Sequence, residues 1–232
     1  MTSEHYNNFN EVVELLKLHN INYVIMRNYS NLLSDELYIT GHPDIDILCE
    51  NSVELAKIIK AKQYKKDDIT HYYIFIKNRE VSLDLRYVGD GYYPTNWQLN
   101  ILQSKELHHD GFYVMDNLNY LYSLTYHVLV QKRTISIDYL TLLVELNENA
   151  GININSSNII QELVFNLEKF MLEMGYKYTY AKDKTVTLNK KYINKKLINK
   201  DLRLQCIHWK FDTRVLIIEK LVEIKHFFEN LR

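Results

Sequence analysis

The sequence predicts an α+β fold, with a mixed sheet flanked by helices over residues 1–115 and a mainly helical region over 116–232. Three observations predict it. In the first part, helical and strand-like patterns follow one another as helix, strand, strand, helix, strand, strand. Beyond Asp116, apolar runs of helical period open on capping residues and close on glycines. The chain has 232 residues, 47% hydrophobic and 25% charged, enough for one large domain or two small ones.

The elements are justified in chain order. "FNEVVELLKLH" (9–19) spaces Val12, Val13, Leu15, Leu16 and Leu18 helically, with Glu11, Glu14 and Lys17 turned outward. "INYVIMR" (21–27) follows as a strand, and a loop leads to a second strand, "DIDILC". Asn51 or Ser52 caps a helix expected to reach about Gln63. "HYYIFIK" and "EVSLDLRYV" read as a hairpin turning at Asn78-Arg79. "VGDGYYPTNW" reads as a tight connection, with its aromatics over the sheet edge or in an acceptor-binding loop, and Asp90 as a turn residue or a further acid. "FYVM" is a short strand closing the sheet.

Three helices are expected next, from Asp116 to Arg133, over "IDYLTLLVELNENAG" to Gly151, and from Ser156 to Gly175. "YKYTYAKDKTVTLN" alternates polar and apolar residues and reads as a small hairpin. The apolar "VLIIEKLVEIKHFFENL" is expected to form a final helix packing back on the others.

With 28 basic and 29 acidic side chains the net charge is −1, so no long-range field favours nucleic acid or an anionic membrane. The charge is nonetheless segregated. Residues 177–203 hold nine basic residues against Asp183 and Asp201, a local +7 that leaves −8 elsewhere. That segment reads as a solvated face, or as a contact for a polyanion such as tRNA or a phosphorylated glycan. Cys49 and Cys206 each sit in an apolar context, as buried thiols would in a reducing compartment. With no signal-like N-terminus and no apolar run long enough for a membrane span, a cytoplasmic location is expected.

The chemistry centres on "PDIDIL". Residues i and i+2 of a strand share a face, so Asp44 and Asp46 project together while Ile45 and Ile47 enter the opposite, buried face. Paired carboxylates repel unless solvated or bridged by a cation, and hard oxygen ligands suit magnesium. "VSLDLR" puts Asp84 on the face opposite Leu83 and Leu85, together with Ser82 and Arg86. If the two strands are neighbours, three carboxylates converge and could hold two ions ~4 Å apart for in-line phosphoryl or nucleotidyl transfer. A solvated strand edge, and a salt bridge from Asp84 to Arg86 or Arg79, are the competing readings.

This order of strand, loop, Asp-x-Asp strand and later Asp strand resembles the nucleotidyltransferase superfamily, typified by DNA polymerase β and the aminoglycoside nucleotidyltransferases. More narrowly, "VIMRNYSNLLSDELYITGHPDIDILC", "SLDLRYVGDGYY" and "YHVLVQK" are similar to uncharacterised bacterial and viral nucleotidyltransferase-like proteins. A more distant similarity runs to LicD-type phospholigand transferases of surface glycans. The resemblance covers roughly residues 1–135, and it implies a nucleotidyltransferase-like sheet domain. It also implies that Asp44 and Asp46 bind magnesium, one ion or two, and that Asp84 completes the site as ligand or as base toward an acceptor hydroxyl. The donor would be a nucleoside triphosphate such as ATP, and the acceptor a hydroxyl on a sugar, small molecule or protein. Where the superfamily carries Gly-Gly or Gly-Ser after the first strand, this chain has Arg27-Asn28-Tyr29-Ser30. Arg27, Asn28 and Ser30 would there face the phosphates, Arg27 through a charge-assisted contact. Alternatives are a LicD-like enzyme with a CDP-linked donor and a catalytically silent nucleotide- or polyanion-binding module.

Two further groups remain open. His127 and Lys132 lie five apart on a helix and so on different α-helical faces; Lys132 or Arg133 could reach donor phosphates or cap helix carbonyls. His108-His109-Asp110 reads as an exposed loop more readily than as a zinc site, since no Cys/His partner lies at suitable spacing.

Overall fold

A computed structural model describes residues 5–29, 31–34, 37–38, 43–155 and 157–229, with side chains described to residue 222. Its centre is an eight-stranded mixed sheet in the order β1-β5-β6-β3-β2-β8-β7, with β4 paired to β5. The strands are β1 (His5–Tyr6), β2 (Tyr23–Ile25), β3 (Asp44–Cys49), β4 (Lys62–Gln63), β5 (His71–Ile76), β6 (Arg79–Tyr87), β7 (Glu106–Leu107) and β8 (Tyr113–Val114). The neighbours β3 and β6 run parallel, while β2 and β3, and β5 and β6, run antiparallel. The β5–β6 hairpin turns at Lys77 and Asn78, both at positive φ (51° and 63°).

Alternation along the strands sorts side chains to two cores. On one face Ile25, Ile45, Ile47, Leu83 and Leu85 meet Phe9, Val12, Val13 and Leu16 of α1 (Phe9–Leu18) and Leu55 and Ile59 at the end of α2 (Ser52–Ile58). Asn8 caps α1 through Glu11 N, and Asn51 caps α2 through Val53 N and Glu54 N. The helix expected to reach Gln63 stops at Ile58. Lys60 at φ 48° turns the chain, Ala61 N bonds to Ala56 O, and Lys62–Gln63 instead add a strand to the sheet.

On the opposite face Val24, Met26 and Leu48 join α3 (Thr95–Gln103), α4 (Asn117–Tyr126) and α6 (Ile159–Glu173) through Trp97, Tyr126, Leu167 and Phe170. Each such side chain contributes ~1.5–3 kcal/mol when fully buried. "VGDGYYPTNW" is part of this core and not an edge cover. Tyr92, Tyr93 and Trp97 are buried, Trp97 stacks on Tyr176 at 5.3 Å and donates to Asn119 Oδ1 at 2.8 Å. Asp90 is the turn organiser: its carboxylate accepts from Tyr92 N and Gln98 Nε2.

The helix opened by Asp116 does not run to Arg133. It becomes a π-helical turn over His127–Gln131 and leaves helical geometry at Lys132. After α5 (Ile137–Asn149) and α6, the expected hairpin in residues 176–189 is absent among the described residues. Bends and turns replace it, with a single bridge between Tyr178 and Ile198.

The final helix α7 (Leu202–Glu229) docks by its start, where buried His208 Nε2 bonds to Ala181 O at 2.7 Å, but Leu216, Ile217, Ile218, Leu221 and Val222 are exposed. Within 215–222 it therefore does not pack back as expected, and the rest of that segment lies outside the described side chains. Cys49 is buried as expected, whereas Cys206 on α7 is exposed.

Gly91 joins the two halves of the chain. Its φ is +77°, and a Cβ there would collide with the Tyr180 carbonyl oxygen. Gly91→Ala should cost more than ~1–2 kcal/mol, since left-handed geometry alone carries that penalty. A lowered urea midpoint at unchanged m-value checks this.

Candidate functional site

The parallel register of β3 and β6 builds the site. It sets Asp46 directly opposite Asp84 and Asp44 opposite Ser82, on the face away from Ile45 and Leu83. Adjacent strands lie ~4.8 Å apart, so the carboxylates become neighbours. All three aspartates line a cavity of about 230 Å³ between the sheet and the helical layer. Arg27, Asn28, Arg86, Tyr92, His127 and Lys132 share its wall.

Two buried arginines hold two of these acids. Arg27 is 7% exposed and Asp46 6%. Arg27 Nε donates to Asp46 Oδ2 at 3.0 Å, and its Nη2 lies 2.9 Å from Oδ1, a bidentate pair. The same Nη2 donates to the Tyr92 hydroxyl at 2.9 Å. Burial disfavours the Arg27 charge, but Tyr92 and Asp46 outweigh it and hold the guanidinium well above its ordinary range.

Arg86 Nη2 donates to Asp84 Oδ2 at 2.9 Å and Nη1 to Asp183 Oδ2 at 3.1 Å, while the guanidinium lies 4.5 Å from the Tyr92 ring centre. His71 Nε2 completes this side, 3.6 Å from Asp84 Oδ1 and 3.5 Å from Asp183 Oδ2. Arg27 Nη1 and Arg86 Nε are buried with no hydrogen-bond partner among the described residues.

Asp44 differs from both. It starts the strand, is exposed as a residue, and forms no hydrogen bond or ion pair among the described residues. Desolvation of the carboxyl on its pocket side, then the charges of Asp46 and Asp84, push its pKa up to about 6 against the opposing pull of Arg27 and Arg86. Such a group has a repelled charge to neutralise. The oxygens of Asp44, Asp46 and Asp84 are of the kind that suits a hard divalent cation, but among the described residues the three carboxylates do not close to within 4.8 Å of one another.

Behind the arginines runs a buried hydrogen-bond chain. The Tyr92 hydroxyl and Gln131 Oε1 each lie 3.1 Å from His127 Nδ1, and Gln131 Nε2 donates to Tyr92 O. Burial, then the Arg27 charge, push the His127 pKa down to about 2, so the imidazole is neutral. The α-helical spacing that separates His127 from Lys132 does not apply in a π turn, and both residues line the cavity.

The expected phosphate contacts divide. Arg27 reaches the cavity but spends two of its nitrogens on Asp46; Lys132 lines the wall; Ser30, like Gly41 and His42, lies outside the described residues. Asn28 has φ 57° where the resemblance has glycine, a left-handed geometry that asparagine tolerates.

Sequence reasoning placed Arg86 on the Asp84 face as a possible salt-bridge partner and Tyr92 within an edge connection or acceptor-binding loop, and it missed Asp183, His71, Gln131 and Tyr139 near the site. Only the position of Arg86 two residues after Asp84 carried a local signal. His108, His109 and Asp110 place ligand atoms within 4.8 Å of one another but lie in the loop before β8, where His108 stacks on Phe112 at 4.8 Å.

No protein-family model matches the chain, and no curated protein matches it. Among solved structures it is similar to the crystal structure of an antigenic nucleotidyltransferase-like protein from Paracoccidioides brasiliensis, at 13% identity and a TM-score of 0.41. That match covers 70% of this chain and 85% of the other. So remote a likeness assigns neither function nor site residues.

Two outcomes test this geometry. Removing one partner of a buried pair strands the other charge, so Asp46→Ala should lose ~3–5 kcal/mol in urea unfolding. The double change Arg27→Met with Asp46→Leu should lose less than the sum of the single changes. For Asp44 the folded pKa of about 6 exceeds the ordinary 3.8, so the folded state binds the proton more tightly. Its ionisation therefore removes stability as pH rises from about 3.8 to about 6, with no further loss above. Asp44→Asn should abolish that fall, leaving the variant more stable than wild type at pH 7.

Proposed function

We propose that the Asp44, Asp46 and Asp84 cavity is the active site of a magnesium-dependent transferase. It would move a nucleotidyl or related phospho group from a nucleoside triphosphate to a hydroxyl acceptor. One observation carries this reading: the β3–β6 register brings Asp46 beside Asp84 with the unpartnered Asp44 at the rim. Magnesium, when bound, supplies neutralisation of the phosphates and activation of the attacking oxygen.

Asp44 and Asp46 would hold the ion from one strand and Asp84 from the next, with Asp84 beside the acceptor hydroxyl. His71, bonded to Asp68 at 2.9 Å, fixes the far side of Asp84. Arg27 orients Asp46 from the cavity wall, and Lys132 on the same lining adds a second cation toward a donor phosphate. Tyr92 and neutral His127 keep Arg27 in place without adding charge.

Asp44→Asn is the clean probe, because Asp46 substitutions also strand Arg27. Magnesium or manganese with a nucleoside triphosphate at about a hundredfold excess over Kd should stabilise wild type by ~2.7 kcal/mol. That corresponds to ~5–10 °C in Tm for a chain of this size. Asp44→Asn and Asp84→Asn should lose most of the shift. Absence of any shift in wild type, or an equal shift in the variants, would assign the fold to a catalytically silent binding module, a reading favoured by the arginines that already pair Asp46 and Asp84. Pyrophosphate release marks the triphosphate donor, and CMP release a CDP-linked one.

A further inference from the structure

A second cavity, of about 430 Å³, lies on the other side of the wall formed by His71 and Asp183. Two loops distant in sequence form it, one carrying Lys65 and Lys66, the other Lys182 and Lys184. The second pair belongs to the basic stretch 177–203, which composition alone could not assign to any partner.

The acids in this cavity are already committed. The Asp68 carboxylate accepts from Thr70 N, the Thr70 hydroxyl and His71 N and pairs with His71 Nδ1. Asp183 accepts from Thr185 N, the Thr185 hydroxyl and Arg86. Among the described residues none of the four lysines forms an ion pair with a carboxylate. Four lysines thus line one concavity whose acids have their partners elsewhere, the lone exception being exposed Asp67; Lys182 Nζ lies 5.3 Å from the Tyr87 ring centre and Lys184 Nζ 5.8 Å from that of Phe211.

Lys190 and Lys191 of the same stretch do not extend the patch. Lys190 lies over Tyr180 and borders a different cavity with Arg133; Lys191 lies over Tyr192 and borders a third with Phe165. The cations are therefore split among separate concavities and do not form a continuous track for a polymer. A concavity of this volume suits one small molecule.

We propose that this second cavity is an anion subsite that takes the phosphomonoester group of a small acceptor. The ligand is a dianion near neutral pH, with three acceptor oxygens for the lysine ammonium groups. Asp183 on its lining is tied through Arg86 and His71 to Asp84, the residue assigned to the acceptor hydroxyl. Calling the ligand the acceptor rests on the transfer reading above; its binding here does not.

The experiment is calorimetric titration of the intact protein, without metal or nucleotide, with glycerol 2-phosphate and with glycerol. Saturable binding of the phosphate ester only is expected, weakened about tenfold or more in Lys65→Gln plus Lys182→Gln. Asp44→Asn and Lys191→Gln should leave it unchanged. No saturable binding to wild type, equal binding of glycerol, or undiminished binding to the double lysine variant would overturn the subsite. Competition by ATP under the same conditions would make it a site for the donor's phosphates and overturn the acceptor assignment. A single-stranded oligonucleotide whose affinity falls equally with Lys182→Gln and Lys191→Gln would replace it with a polyanion surface. Retained ester binding together with no nucleotide-linked stabilisation would keep the subsite and reject only the transfer reading.

Discussion

The pocket depends on one buried ion pair, Arg27 with Asp46. Taking either charge out of water alone costs several kcal/mol, so each can lie inside only because the other is there in bidentate geometry. Arg27 leaves β2 just as Asp46 crosses β3, and Met26 N bonds to Asp46 O at 2.9 Å. Side-chain and backbone contacts thus close the same corner. From it the chain of Tyr92, His127 and Gln131 carries order into the helical layer. His127 and Gln131, four apart on the π turn, both take part in it.

The same pair shapes the electrostatics. Arg27 and Arg86 hold Asp46 and Asp84 beside one another inside a layered fold where carboxylates would otherwise repel. Asp44, which neither arginine contacts, is desolvated on its pocket side and keeps the uncompensated part of that repulsion, and so retains its proton to higher pH. An acidic corner and an arginine-stabilised interior are therefore two consequences of one register. The lysine-lined cavity beyond Asp183 places basic charge a wall away from this acidic corner, though the chain as a whole is nearly neutral.

Much of this was legible as local pattern. Asn51 and Asp116 capped the helices they were expected to cap, and the hairpin formed where two alternating runs met, though its turn is Lys77-Asn78 and not the expected Asn78-Arg79, because Arg79 pairs with Ile76 in the ladder. Other readings failed where a local pattern fitted more than one environment. "VGDGYYPTNW" has the composition of a turn, yet Trp97 found a core in Tyr176 and Phe170, more than seventy positions later. The apolar end of α7 has the composition of a packed helix, yet Leu216 through Val222 stay exposed.

The sequence by itself determined which face each aspartate takes. In "DIDIL" and "SLDLR" the pleat sends isoleucine and leucine one way and the acids the other, whatever lies alongside. Only the tertiary structure decided that these two strands are parallel neighbours in a register that faces Asp46 with Asp84. It alone decided that Arg27 serves Asp46, that a π turn joins His127 to Lys132 on one wall, and that Asp183 reaches Arg86. The physical reason is range: alternation and capping act over a few residues, whereas register and charge pairing are chosen by groups far apart in sequence that meet only when both cores close.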